Sequence, residues 1–107
     1  MKRGEVRWYT FKAPDKRRPV LILTRSVTIR YLNTVTIAPI TTKVRNIPSE
    51  VLLTTDEGMY TACAANLGNI QTVPQTKVGK LIAQLSSTRM EEVNAAISFA
   101  LGLDELL

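Results

Sequence analysis

Arg18 and Thr41 are the residues of this sequence with the strongest case for chemistry, because each lies at one end of an apolar stretch. Arg18 directly precedes Pro19 and a continuous apolar run, which is typical of a strand buried on both faces. Pro19 fixes its own φ and favours an extended conformation for Arg18, so the guanidinium lies at the rim of a rigid element. Thr41 ends a second predicted strand, residues 33–41. We therefore expect a cation and a hydroxyl at the ends of two neighbouring core strands.

The absence of histidine limits the chemistry, since it excludes imidazole acid–base catalysis and the Ser–His and Cys–His nucleophile pairs. The nine carboxylates are scattered without the spacing of a two-metal nuclease, and no glycine-rich phosphate loop is present. One reaction stays open to such a chain: an RNA 2′-hydroxyl attacks its own phosphate, so the substrate supplies the nucleophile. The protein then has only to orient the phosphate and stabilise the added negative charge. Each positioned donor contributes about 10²–10³ in rate.

Length and composition indicate one small globular domain over residues 1–107, with 45% apolar residues and no apolar run long enough to span a membrane. The basic start is followed by Gly4 and Glu5, where a secretory signal needs its apolar segment. The single Cys63 cannot form an internal disulfide, and without a histidine to activate it we interpret it as a packed apolar residue. These features predict a cytoplasmic protein.

Charge is distributed unevenly along the chain. Residues 1–45 contain eleven Lys and Arg against two acids, a net charge of +9, whereas residues 46–107 have a net charge of −4. This asymmetry favours a polyanionic partner for the first half, most simply nucleic acid. The alternative is a solvated basic surface that binds nothing.

The elements that position these residues are mostly short strands. Alternation and β-branched content predict strands over residues 5–11, 19–24, 33–41, 49–53, 60–65, 70–73 and 78–85. In the first strand we expect Val6, Trp8 and Thr10 to face inward, with Trp8 in the core. Pro39 suggests an edge or an end of its strand. The connections at residues 12–17 and 41–46 are polar and basic, and residues 25–32 suggest a short helical turn.

One helix follows the last strand. Ser87 or Thr88 is its expected N-cap, and Thr88 with Glu91 fits a capping box. Gly102 ends it. Its apolar stripe consists of Met90, Val93, Ile97, Ala100 and Leu101. The predicted fold class is therefore mostly β with a C-terminal α-helix, in the form of an SH3-like small barrel.

Several motifs, in this order, resemble those of the MazF/PemK (Kid) toxin family. Residues 18–23 (Arg-Pro-Val-Leu-Ile-Leu) resemble its Arg-Pro-Val/Ala-Val-Val strand, and residues 3–8 (Arg-Gly-Glu-Val-Arg-Trp) resemble its opening. Residues 35–42 (Val-Thr-Ile-Ala-Pro-Ile-Thr-Thr) are similar to its third strand. Residues 69–73 (Asn-Ile-Gln-Thr-Val) lie where the family has Gln-Ile-Arg-Thr-Val/Ile, and residues 90–103 fit its last helix. The resemblance covers nearly the whole chain.

The resemblance implies a homodimeric, metal-independent and sequence-specific endoribonuclease, an mRNA interferase that cleaves single-stranded RNA such as messenger RNA. It needs no cofactor, and a cognate antitoxin with an acidic tail blocks it. The family's catalytic arginine and threonine match Arg18 and Thr41. Further RNA contacts are expected from the basic loops and from the turn near residue 70, namely Lys12, Lys16, Arg17, Arg25, Thr42, Lys43, Asn69 and Gln71.

The chain departs from the family pattern in its first loop, which is several residues shorter and lacks the family's Glu and Gln. Two other functions remain open at this stage. The first is a non-catalytic nucleic-acid- or ribosome-binding module that uses the same basic half. The second is a topoisomerase poison like the CcdB toxins, which have a Trp-Gly-Ile ending, whereas residues 104–107 read Asp-Glu-Leu-Leu.

Overall fold

The computed structural model describes residues 1–12 and 16–106. Within them, two α-helices occur, α1 (Ser26–Ile29) and α2 (Ser87–Leu101). The strands in chain order are β1 (Glu5–Thr10), β2 (Arg17–Ile22), β3 (Thr34–Thr41), β4 (Glu50–Leu53), β5 (Cys63–Asn66), β6 (Gln71–Pro74) and β7 (Val78–Gln84).

These seven strands, all in the described part of the chain, form one antiparallel sheet in the order β4-β5-β3-β2-β1-β7, and β6 pairs with β3. The predicted mostly-β fold with a C-terminal helix is confirmed. Neither helix described has the length and apolar content needed to cross a membrane. The predicted basic connection at residues 12–17 includes residues 13–15, which lie outside the described residues.

β2 is the central element of the core. Val20 and Ile22 contribute to one apolar cluster, Leu21 contributes to the other, and all three side chains are fully buried. Both faces of the strand are therefore covered, which confirms the prediction from its continuous apolar run. Arg18 lies in the exposed first part of the same strand and pairs with Tyr9 of β1, so the sheet fixes the position of its backbone.

The prediction that Pro39 marks an edge or an end is wrong, because β3 pairs with β2 and with two further strands, β5 and β6. Proline is tolerated here because β3 changes partner beside it: Ile37 is the last residue paired with β6, and Ile40 is the first paired with β5. The Thr36 carbonyl faces β2, where it accepts from the Leu23 amide. The backbone polar groups of successive strand residues face opposite sides, so those of Pro39, three residues later, face away from β2. The missing N–H therefore faces the gap between β6 and β5.

The core placement of Trp8 is also wrong. Trp8 is half-buried and outside both apolar clusters, Thr10 is exposed, and Tyr9 is the buried aromatic residue of β1. The pattern misleads because Val6 belongs to one apolar cluster and Tyr9 to the other, so both faces of β1 are partly covered and simple alternation does not apply. The Arg17 guanidinium lies 4.2 Å from the Trp8 ring centroid, and the Tyr60 ring stacks 6.4 Å away.

α2 begins one residue earlier than predicted. Ser86 is its N-cap and accepts a hydrogen bond from the Arg89 amide at 3.2 Å. Ser87 and Thr88, the predicted caps, lie in the first turn of the helix. Gly102 ends the helix in a left-handed conformation, as predicted. Most of the predicted stripe packs inward, but Leu101 is exposed and Ala96 is buried in its place. The strand predicted over residues 60–65 begins only at Cys63.

Candidate active site

Arg18 and Thr41 line the same cavity, of about 330 Å³, at one end of β2 and β3. The β2–β3 register pairs Val20 with Pro39, and the same register continued by two residues places Arg18 opposite Thr41. Pro39 and Ile40 form the apolar floor, and the polar rim consists of Lys43, Arg45, Asn66 and Asn69. The two residues predicted to act together are thus brought together by strand pairing.

The Thr41 hydroxyl has a defined orientation because its oxygen accepts a hydrogen bond from the Lys43 amide at 3.0 Å. Thr41 is half-buried, while Arg18 at the neighbouring strand end is exposed. A hydroxyl has one hydrogen, so an oxygen that already accepts from the backbone can still donate to a ligand. The cavity therefore presents a guanidinium and an oriented hydroxyl to whatever it binds.

The cavity continues into two others, and we call the three together the Arg18 groove. The second, of about 230 Å³, shares Arg18, Pro39 and Asn69 and adds Phe11 and Gln71. The third, of about 320 Å³, shares Phe11 and Gln71 and adds Tyr9, Thr10, Lys12 and Lys77. The described residues that line this groove include five cations and no aspartate or glutamate. Such a surface attracts a polyanion along its length.

The groove collects some of the predicted RNA-binding residues and leaves others outside. Lys12, Lys43, Asn69 and Gln71 line it. Thr42 lies beside it, in a small apolar cavity that also contains Thr41, Tyr60 and Cys63. Lys16 is exposed, Arg17 stacks on Trp8, and Arg25 lines a different cavity with Arg3 and Asn94.

Several lining residues were not predicted from the sequence, among them Arg45, Phe11, Asn66 and Lys77. Arg45 could have been found, because it is a second cation, two residues after Lys43, in the basic loop that follows Thr41. Phe11 continues the alternation of Tyr9 on β1. Asn66 and Lys77 come from segments far along the chain, and nothing in their local sequence indicates that folding brings them here.

The carboxylates with resolved pKa shifts belong to the fold. Burial raises the pKa of Glu5, but hydrogen bonds from Arg7 and the Lys2 amide outweigh it, so the pKa is lowered overall. The Thr54 amide lowers the pKa of Glu57, which also pairs with Arg89 of α2 at 3.2 Å. Burial raises the pKa of the Cys63 thiol, which keeps it neutral and agrees with a packed apolar role.

Known proteins resemble this chain along most of its length. Endoribonuclease MazF3 of Mycobacterium tuberculosis is 40% identical over 90 residues, covering 84% of this chain and 87% of that protein. Probable endoribonuclease MazF2 of the same species is 36% identical over 93 residues, covering 86% of this chain and 89% of that protein. Among solved structures, the Mycobacterium tuberculosis toxin MazF-mt6 superposes with a TM-score of 0.85 at 35% identity, over 92% of this chain and 96% of that one.

A second solved structure is described as an endoribonuclease in complex with its cognate antitoxin from a mycobacterial species. It has a TM-score of 0.84 at 25% identity and covers 96% of both chains. These superpositions confirm the small-barrel fold class predicted from the strand pattern. The family model for PemK-like, MazF-like toxins matches residues 2–101. The chain therefore belongs to the PemK-like, MazF-like toxin family of type II toxin–antitoxin systems.

Proposed function

We propose that this chain is a sequence-specific endoribonuclease toxin, an mRNA interferase that cleaves single-stranded RNA without a metal. The observation that carries the proposal is the cavity in which Arg18 and Thr41 face a common space beside Lys43. The relatives that are named endoribonucleases support the same reaction class. A groove lined by cations suits the phosphates of a single strand, and Phe11 offers a ring on which a base can stack.

In the proposed reaction the 2′-oxygen forms a bond to the adjacent phosphorus while the bond from phosphorus to the 5′-oxygen breaks. The net proton transfer is from the 2′-oxygen to the leaving 5′-oxygen, and the products are a 2′,3′-cyclic phosphate and a 5′-hydroxyl. Arg18 stabilises the negative charge that accumulates on the phosphate oxygens. We assign it this electrostatic role because a guanidinium does not deprotonate in proteins.

Thr41 is proposed to donate its hydroxyl hydrogen to a phosphate oxygen. The Lys43 amide holds the hydroxyl oxygen, so the donor is oriented before the substrate binds. Lys43, Lys12, Asn69 and Gln71 would hold the flanking nucleotides in the groove. The other RNA contacts predicted from the sequence would involve nucleotides bound outside the groove. These contacts are proposed for Lys16, Arg17, Arg25 and Thr42.

We further propose that the chain acts as one toxin domain, as a homodimer, and that a cognate antitoxin with an acidic tail inhibits it. The relative solved with its cognate antitoxin supports the partner class, and the basic groove supports the charge of the tail. Because the proposed substrate includes messenger RNA, we place the reaction in the cytoplasm. Co-expression with the product of a short acidic reading frame beside the gene should abolish cleavage.

The reaction is tested with purified protein, a long RNA and excess EDTA. We expect cuts at a limited set of sequences, 2′,3′-cyclic phosphate ends, and no cleavage at a site whose ribose carries a 2′-deoxy substitution. Cleavage at the 2′-deoxy site would show that the substrate does not supply the nucleophile. Intact RNA that nevertheless binds tightly would favour a non-catalytic RNA-binding module instead.

A further inference from the structure

The loop after β3 is held by a carboxylate that lies beneath it. The Glu50 side chain is 2% exposed, and its two oxygens accept from the Arg45 amide at 2.9 Å and from the Arg45 Nε at 3.1 Å. The Arg45 side chain is 57% exposed and lines the cavity with Arg18 and Thr41. One end of this ion pair is therefore in the protein interior and the other is at the candidate active site.

The backbone of the loop is shaped to make this pair. Asn46, directly after Arg45, has a φ of 54°, a left-handed conformation that asparagine tolerates better than most residues. The chain turns there, so the amide and the side chain of Arg45 both reach Glu50. Nε is the atom engaged, and an arginine has four further N–H donors on its two terminal nitrogens. Those donors are on the exposed part of the side chain.

We propose that Arg45 is a phosphate-binding residue of the Arg18 groove and that Glu50 is the positioning residue that orients it. The inference rests on the proposed function and deepens it, because it adds a second guanidinium to the site. Pairing through Nε fixes the plane of the guanidinium and directs its terminal nitrogens outward, a geometry suited to two phosphate oxygens. The partner is a phosphate of the RNA strand that occupies the cavity with Arg18 and Thr41.

A purely structural role for the Arg45–Glu50 ion pair predicts a different result. If Arg45 served only to neutralise a buried carboxylate, removing both charges together would restore everything that removing the arginine had lost. If Arg45 also binds phosphate, the double replacement restores folding but not RNA affinity. The two roles can therefore be separated in one set of variants: Arg45→Ala, Arg45→Lys, Glu50→Gln and Arg45→Ala with Glu50→Gln. Glu50→Gln keeps an oxygen that can accept from the Arg45 amide.

The main measurement is the Kd for an RNA with a 2′-deoxy ribose at the cleavage site, taken over a range of salt concentrations, with melting temperatures alongside. We expect Arg45→Ala to raise Kd about tenfold, the loss of a charged hydrogen bond, and to reduce the salt slope by about 0.7. Arg45→Lys should recover the salt slope, because it keeps the charge. Glu50→Gln should raise Kd about two- to threefold. Arg30→Ala, with Arg30 exposed at the end of α1, is the matched control.

The double variant decides between the two roles. Recovery of the melting temperature with a Kd still raised about tenfold and a shallower salt slope supports the proposal. Recovery of both the melting temperature and Kd overturns it. So does an Arg45→Ala protein whose Kd and salt slope equal those of the wild type. Wild-type protein that binds the RNA but cannot cut unmodified RNA refutes the proposed function alone, and protein that does not bind RNA refutes both.

Discussion

Two cavities lie at opposite ends of β2, and each contains two arginines. The cavity at the start of the strand has about 330 Å³ and contains Arg18 and Arg45. The cavity beyond its end is larger, about 590 Å³, and contains Arg3 and Arg25 with Asn94 of α2. Size alone would favour the second cavity as the binding site.

The hydrogen bonds of Arg3 show that the second cavity serves the fold. Arg3 Nε donates to the Leu23 carbonyl at 2.9 Å, and a terminal nitrogen donates to Asn94 Oδ1 at 2.8 Å. Its backbone amide donates to the Ser26 hydroxyl at 2.9 Å, so Arg3 joins the N-terminal segment to α1 and α2. The cavity with Arg18 and Arg45 is instead continuous with the rest of the Arg18 groove, whose described lining includes five cations and no aspartate or glutamate. A continuous cationic lining therefore identifies the site better than the volume of one cavity does.

The largest expected effect is on catalysis by the Arg18→Ala variant. Loss of the proposed charge stabilisation should lower kcat/KM by about 10²–10³, or about 3–4 kcal/mol of transition-state stabilisation, with little change in melting temperature. Initial rates on a fluorescent RNA in EDTA measure it. Normal cutting by this variant would show that the site assignment is wrong.

Arg3→Ala is the counterpart from the other cavity and should show the opposite pattern. The substitution removes the side-chain hydrogen bonds to the Leu23 carbonyl and to Asn94 and keeps the backbone bond to Ser26, so we expect about 1–3 kcal/mol less stability in urea and an unchanged kcat/KM per folded molecule. An activity loss as large as that of Arg18→Ala in the fully folded protein would abolish the distinction between the two ends of β2.

Thr41 gives a smaller effect at the same end. Thr41→Val removes the hydroxyl while keeping the shape, and we expect kcat to fall about tenfold because one hydrogen bond to the phosphate is lost. Thr41→Ser keeps both the donor and the oxygen that accepts from the Lys43 amide, so it should retain most of the activity. Single-turnover rates separate this loss from weaker binding. Equal rates for the valine and serine variants would contradict the proposed role.

Lowering the pH should reduce the stability of the fold before it changes the charge of the groove. Carboxylates pair with arginines that stabilise the fold, whereas the described residues of the groove include no carboxylate. The pKa of Glu57 is lowered from 4.5, mainly by the Thr54 amide, so its stabilising contribution is present above that value and is lost as the pH falls through the folded-state pKa. Urea midpoints between about pH 5 and pH 3 should fall more steeply for the wild type than for Glu57→Gln. Glu91→Gln, on the exposed face of α2, is the control and should follow the wild type.

The part of the site made by neighbouring strands could be predicted from the sequence. The apolar run after Pro19 places Arg18 at the start of a core strand, and a second strand ends at Thr41. Local pattern is sufficient here because each side chain is fixed by the end of its own strand. Asn66 and Lys77 could not be predicted, since only the three-dimensional arrangement of β5, β6 and β7 brings them to the groove.

The wrong predictions have a common cause, which is that they depended on neighbours that the local sequence does not specify. Trp8 has the residue type of a core side chain, but the two apolar clusters on opposite faces of β1 cover Val6 and Tyr9 and not Trp8. Pro39 normally indicates an edge, yet a change of strand partner accommodates it in the middle of the sheet. Ser86 caps α2 in place of Ser87 and Thr88, and local sequence does not choose among them because serine and threonine are both good N-caps.

The smallest expected effect concerns Arg25, whose RNA-binding role stays a prediction. Arg25 lies beyond the far end of β2 from Arg18, so a strand held at Thr41 must be long to reach it. Arg25→Ala should leave the Kd of an RNA of about four nucleotides unchanged and weaken one of about sixteen nucleotides about two- to threefold. An equal loss on both would mean that Arg25 acts through the fold, as Arg3 does, and no loss on either would remove Arg25 from the RNA path. In both of those cases RNA recognition would be confined to the Arg18 end of β2.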